Sequence, residues 1–217
     1  KKIKHELEKA YTLCNSGRKG PVFLDIPLDV QKAKIQINNL KGVKKNFNKE
    51  IFNLKKIKLS IKKYLTDLQK SKRPVFLVGG GAQLANCSKK ILQASKLLNV
   101  PCFATWNGID TITSDFELYA GRVGTYGGPG RNFGIQNCDL LLGLGTRVSG
   151  RITGGNPSTF SREAKKYIVD IDTALLNKKF QPVKFHENIY CDLNIFLDIF
   201  LKEIKKNYTK NTNFISW

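Results

Sequence analysis

Short apolar runs alternating with helical stripes constrain this chain more than any other feature. Residues 75–78 (VFLV) are apolar without interruption, the pattern of a parallel strand buried on both faces. Similar runs recur at 101–105 (PCFAT), 139–145 (DLLLGLG) and 167–171 (YIVDI), with a short last one at 187–191. Between them lie apolar residues at helical spacing. Ile57, Ile61, Tyr64, Leu65 and Leu68 form one stripe, Leu84, Cys87, Ile91, Ala94 and Leu98 a second, and Phe196, Ile199, Phe200 and Ile204 a third. Strands that alternate with helices predict an α/β fold, a Rossmann-like parallel sheet with helices on both faces. No internal repeat is present.

The first thirty residues stand apart from this pattern. Ile3, Leu7, Ala10, Tyr11 and Cys14 share one face of a helix over 3–15, which Ser16-Gly17 ends. GPVFLDIPLDVQ (20–31) follows; its apolar stretch 22–26 predicts a further buried strand, interrupted by Asp25 and stopped by Pro27. Such a strand needs neighbours, and it reads as the last strand of another domain; alone it would expose an apolar edge. Residues 32–56 are polar, lysine-rich and aperiodic, which predicts a linker. The division expected is therefore 1–31, an α–β remnant; 32–56, linker; 57–206, the main domain; and 207–217, a tail. The chain contains no Met, so it is expected to be an internal or trimmed piece.

Composition narrows the function classes. No run of about 18 apolar residues is written here, so no membrane span is expected, and the charged start lacks the apolar core of a signal peptide. The five cysteines include no C-x-x-C pair, and most sit in apolar segments. They read as buried thiols of a reduced, cytoplasmic protein without a metal site. The net charge of +20 invites a nucleic-acid reading, but only seven of the 37 basic residues are Arg. The lysines are scattered, and no recognition helix, zinc finger or aromatic single-strand motif accompanies them. A solvated lysine-rich surface, with no nucleic-acid or membrane partner, is the expectation.

In open parallel sheets ligands bind beyond the carboxyl ends of the strands. Those ends carry Gly79-Gly80-Gly81, then Thr105-Trp106-Asn107-Gly108, then Gly145-Thr146-Arg147 with Arg151 four residues on, then Asp170-Ile171-Asp172, and finally Asp192. A glycine-rich loop, 121–130, lies between the second and third. Glycines let backbone amides approach a pyrophosphate, arginines fork onto phosphate oxygens, and strand-end carboxylates accept ribose hydroxyls. Together they suit an adenine dinucleotide laid across the sheet. Each has a plainer reading. Leu84 stands where G-x-G-x-x-G requires its third glycine, so the triple glycine could be a tight turn. Asp170 and Asp172 could be caps, and Arg147 could pair with a neighbouring carboxylate. His5 and His186 have no partners in sequence and read as surface residues. No G-x-S-x-G, P-loop or H-E-x-x-H motif is present, and no catalytic residue is assigned.

SGRKGPVFLDIPLDVQ (16–31) resembles the signature that closes the N-terminal pyrimidine-binding domain of thiamine-diphosphate-dependent enzymes, especially the acetolactate synthase group. RPVFLVGGGA, VPCFATWNGID, NFGIQNCDLLLGLGTRVSGRITG and KKYIVDIDTALLNK resemble successive blocks of that group's central domain. TWNGID and GTYG look like acetolactate synthase-like members rather than the biosynthetic enzyme. The resemblance implies the end of a first domain and the middle domain of a three-domain enzyme. That enzyme would decarboxylate a 2-keto acid and join the product to a second carbonyl, as a homo-dimer or tetramer. Thiamine diphosphate and Mg²⁺ would be held outside these residues, which alone are expected to be inactive.

In the family the central domain binds FAD in a structural part; relatives that have lost FAD keep the fold, and some hold ADP. Carried over by position, the contacts would be Gly80, Gly81, Thr105, Trp106, Asn107, Gly124, Thr125, Tyr126, Gly145, Thr146, Arg147, Arg151, Asp170, Ile171, Asp192 and Leu193. Tyr126 stands where acetolactate synthases have His, Asn107 where they have Met, and Ser149-Gly150 where they have two aspartates. The kept Gly145, Arg147 and Arg151 favour FAD retention. The competing reading is a stand-alone Rossmann-like nucleotide or flavin module without thiamine chemistry.

Overall fold

The computed structural model describes residues 2–43, 51–177, 179 and 181–209. The chain forms two compact units, Lys1–Ile51 and Phe52–Trp217. In the first, α1 (Ile3–Asn15) is the helix the sequence predicts, ended at Ser16, with Gly17 at a φ of +53°. It is followed by α2 (Leu28–Lys32) and a 3-10 turn, Ile37–Asn39. The strand expected over 22–26 does not form: the segment joins no ladder among the described residues, and Phe23 is 90% exposed. A strand acquires its backbone hydrogen bonds only from a neighbour, and no strand is found among the unit's described residues. Part of the expected linker, 44–50, and most of the expected tail, 210–217, lie outside the described residues.

The second unit opens with α3 (Leu54–Lys70), whose Asn53 cap accepts the Lys56 amide at 3.0 Å; the helix starts three residues before the stripe at Ile57. Next come β1 (Pro74–Val78), α4 (Gly80–Leu84), α5 (Ser88–Leu98), β2 (Cys102–Ala104), β3 (Tyr119–Arg122) and α6 (Pro129–Asn137). The chain continues through β4 (Leu140–Leu144), α7 (Gly150–Thr153), β5 (Lys165–Asp170), α8 (Thr173–Leu176), β6 (Glu187–Tyr190) and α9 (Leu193–Asn207). All six strands are parallel, in the order β3-β2-β1-β4-β5-β6. This is the doubly wound arrangement.

Alternate residues of each strand face opposite layers. Phe76, Val78, Leu142 and Val169 join α3, α5 and α9 in one core; Val75, Leu77, Leu141 and Ile168 join Ile135, Phe160 and Phe185 in the other. Burial on both faces is why the strands read as continuous apolar runs.

Two local expectations change. The stripe from Leu84 to Leu98 is two helices, because the chain turns at Asn86 (φ +52°), and Leu84 is left half-exposed. β3 is not among the expected strands, and its last two residues fall in the stretch read as a loop (121–130); Y-A-G-R has no apolar run, and three of its four residues are only partly buried. His186 is exposed, as read, but has a partner: its Nδ1 accepts the Lys166 amide at 3.0 Å. His5 Nδ1 lies 3.1 Å from Glu6 Oε1.

Candidate functional site

The carboxyl ends of all six strands face one edge of the sheet, and the order reverses between β1 and β4. There the two turns touch. The Gly79 amide donates to Leu144 and the Gly81 amide to Gly145, both at 3.0 Å. A Cβ on Gly79 would stand 2.3 Å from the Gly145 carbonyl, and one on Gly145 would stand 2.8 Å from the backbone of Gly81 and Ala82. Gly145 also holds a φ of +58°. These glycines thus let two strand-end turns cross, and the Gly81 amide already has an acceptor inside the protein. Thr146 and Asn107 close the same junction: a Cβ on Gly79 would meet Thr146 Cβ at 2.6 Å, and one on Gly80 would meet the Asn107 carbonyl at 2.8 Å.

At the ends of β4 and β5, Arg147 Nη2 lies 3.4 Å from Asp172 Oδ2. The other Asp172 oxygen accepts the amides of Ala174 (3.0 Å) and Leu175 (3.4 Å), capping α8. Asp170 Oδ1 accepts the Asp172 amide at 2.9 Å, with half-buried Ile171 between them. Asp172 thus caps α8, as the plainer reading has it, and Arg147 pairs with it; both stand, with Asp170, at the strand ends. Between Arg147 and Arg151, the buried Val148 holds a φ of +44°, an unfavourable conformation for a β-branched residue.

The loop after β3 docks on α7. The Thr125 amide and hydroxyl donate to the Arg151 carbonyl at 2.8 and 3.1 Å. The Asn132 side chain spans Gly124, accepting its N–H and donating to its carbonyl, both at 3.0 Å. At the end of β2, buried Thr105 donates its amide to Val78 at 2.9 Å. Trp106 (52% exposed) and Tyr126 (75% exposed) place their rings 5.8 Å apart. At the β6 edge, Asp192 caps α9 through the amides of Asn194 (2.9 Å) and Ile195 (3.2 Å), and Leu193 is buried in that helix's first turn.

The structure thus groups the candidates by strand end: Gly80, Gly81, Asn107, Gly145 and Thr146 at the switch point; Arg147, Asp170, Ile171 and Asp172 beside it; Gly124, Thr125 and Arg151 on the loop; Trp106 and Tyr126 at the outer end. Asp192 and Leu193 belong to the opposite edge strand. Four thiols add no nucleophile. Burial pushes Cys102 and Cys191 up to about 12 and Cys87 and Cys138 up to about 11, so they stay protonated at neutral pH. Sequence reasoning missed Arg122, Asn132 and Val148. Arg122 was hidden in a segment read as loop, and no local pattern marks the Asn132 clamp or the strain at Val148.

As a class, this is a doubly wound fold with charged, glycine-lined strand ends at its switch point. The family described as thiamine pyrophosphate enzyme, central domain, matches residues 61–211, and the chain belongs to it. It is 30% identical over 191 residues to acetolactate synthase isozyme 2 large subunit of Escherichia coli (strain K12), covering 88% of this chain and 33% of that relative. It is 31% identical over 191 residues to the chloroplastic acetolactate synthase of Arabidopsis thaliana (88% and 28%). Against the acetolactate synthase large subunit of Cyanidium caldarium it is 29% identical over 210 residues (94% and 35%). The chain spans about a third of the length of these curated relatives.

Proposed function

We propose that this chain supplies the central domain of an acetolactate synthase-like thiamine-diphosphate enzyme. In that role it holds an adenine nucleotide, FAD or ADP, as a structural ligand at its strand ends. The observation that carries the reading is the Arg147–Asp172 pair at the ends of β4 and β5, beside the switch point. Arg147 is 55% exposed, and an ion pair so open to water is worth about 0–1 kcal/mol. A phosphate can therefore take over its guanidinium with little loss, as a bidentate acceptor, while Asp172 keeps its hold on α8. In this reading Asp170 and Asp172 accept ribose hydroxyls. Gly80, Gly81 and Gly145 shape the crossing of the turns on which the ligand would lie. Trp106 and Tyr126 offer planar surfaces at the outer end. Asp192 and Leu193 act through the start of α9.

In the intact enzyme, thiamine diphosphate with Mg²⁺ supplies the carbanion chemistry on a 2-keto acid, from residues outside this chain, in a cytoplasmic homo-dimer or tetramer. The Cyanidium alignment covers 94% of the chain and so runs through both compact units, which favours an enzyme portion over a stand-alone nucleotide module.

Heat denaturation followed by chromatography of the supernatant, and calorimetric titration with FAD and with ADP, test the nucleotide assignment. One bound nucleotide per chain is expected, with the affinity lowered about tenfold, or roughly 1.4 kcal/mol, by Arg147→Gln. No released nucleotide and no binding of either compound overturn it.

A further inference from the structure

The β2–β3 end of the crevice carries a cation that neither the core nor the Arg147–Asp172 pair employs. Arg122 closes β3, and its guanidinium lies 4.5 Å over the indole of Trp106, whose ring centre is 5.8 Å from that of the exposed Tyr126. Its Nε is buried and, among the described residues, has no hydrogen-bond partner. Two other arginines have acceptors: Arg73 Nε donates to the Asn137 carbonyl at 2.6 Å, and Arg147 meets Asp172. Arg122 has an aromatic face and no described acceptor.

Buried donors left without an acceptor are rare in folded proteins, and each calls for a reason. The surroundings hold this one in place. Asn132 pins the loop two residues on, at Gly124. Arg131 lies across Gly121, where an added Cβ would meet its Nε at 2.4 Å, so a second guanidinium borders the same strand end. Two arginines therefore stand around the end of β3, apart from the Arg147–Asp172 pair at the ends of β4 and β5.

We propose that Arg122, seated on Trp106, binds an anionic oxygen of a ligand whose planar part lies against Trp106 and Tyr126. The location rests on the nucleotide reading of the crevice. Arg122 is only partly buried, so a ligand can reach it. To engage the ligand, the guanidinium would have to turn on the indole until the buried Nε and one Nη face the incoming group together, in the fork that carboxylate and phosphate accept. The indole keeps the cation oriented meanwhile. Two sources share this chemistry, a nucleotide phosphate and the carboxylate of a 2-keto acid.

Trp106 reports on its own site. The chain has two tryptophans, Trp106 and Trp217, so in a Trp217→Phe background the emission belongs to Trp106. Titrations would use ADP, pyrophosphate, adenosine and pyruvate, with circular dichroism to verify folding. Anion binding should change Trp106 emission. Arg122→Gln should weaken the effective anion at least tenfold; Arg122→Lys, which keeps the charge and loses the fork, should weaken it less and serves as the decisive variant if the glutamine form does not fold. Adenosine, lacking phosphate, should be indifferent to both. Dependence on Arg122 for ADP and pyrophosphate assigns the phosphate, and dependence for pyruvate assigns the carboxylate. If no anion's affinity depends on Arg122 while Arg147→Gln still weakens ADP, the Arg122 assignment falls and the crevice reading stands. If neither substitution changes any affinity, both fall.

Discussion

Gly145 shows how one position can be constrained twice. Its φ of +58° and the 2.8 Å approach of an added Cβ to the Gly81–Ala82 backbone act together. A side chain there meets left-handed strain and a rigid clash, so Gly145→Ala should destabilise the second unit by about 2–4 kcal/mol, read as a shift in urea midpoint; an unchanged midpoint would contradict the crossing of the turns. Asp67 carries a pH signature. Burial raises its carboxyl pKa, but hydrogen bonds from Lys165 and Tyr167, both at 2.7 Å, and the Lys165 charge outweigh burial and hold it below the ordinary value. A depressed folded pKa stabilises above the unfolded value and ceases to as pH falls through the folded one. The contribution should therefore be complete above about pH 4 and disappear on further acidification. Urea titrations from pH 5 to 2 should show a steeper loss for the wild type than for Asp67→Asn; parallel curves would sink the idea. At this scale the sequence located Gly145, Arg147 and Asp172 at strand ends, because strand ends are set by local pattern. It did not reveal that the Gly81 amide is already used, since its acceptor is more than sixty residues away.

Among the elements, α9 shows best what a stripe is for. Phe200 is fully buried between Tyr64 (5.8 Å), Phe76 (6.4 Å) and Phe196 (5.4 Å), joining α3, β1 and α9 in one layer. Phe200→Ala should cost about 3–5 kcal/mol in equilibrium unfolding, and a loss under 1 kcal/mol would mean that the layer repacks. The stripes of α3 and α9 were legible because both helices bury one continuous face. β3 was not, because Y-A-G-R writes no apolar run and three of its four residues are only partly buried. The break between α4 and α5 escaped notice because Asn86 reverses the chain without a glycine or proline to announce it. The stretch 22–26 has the composition of a strand without forming one, since pairing requires a neighbour.

Across the whole molecule, the two units differ in how they hide apolar surface. The second encloses two cores. In the first, α1 buries no residue, and Leu7, Tyr11, Phe23 and Ile37 are all exposed. Exposed apolar groups of this kind bind hydrophobic dyes and favour association. The chain should enhance ANS fluorescence near neutral pH, and a Phe23→Ser/Ile37→Ser double variant should lower that signal with the unfolding midpoint of the second unit unchanged; an equal signal would place the dye elsewhere.

The sequence by itself determined the parallel sheet, the two-sided burial of its central strands and the chemical character of the strand ends. Those features are written in hydrophobic period and turn residues, which act over a few neighbours. Tertiary structure alone decided the strand order, the contact of the β1 and β4 turns, the seating of Arg122 on Trp106 and, among the described residues, the unpaired state of 22–26. Each depends on a partner distant in sequence or on the presence of a neighbouring strand, and no local pattern carries that information.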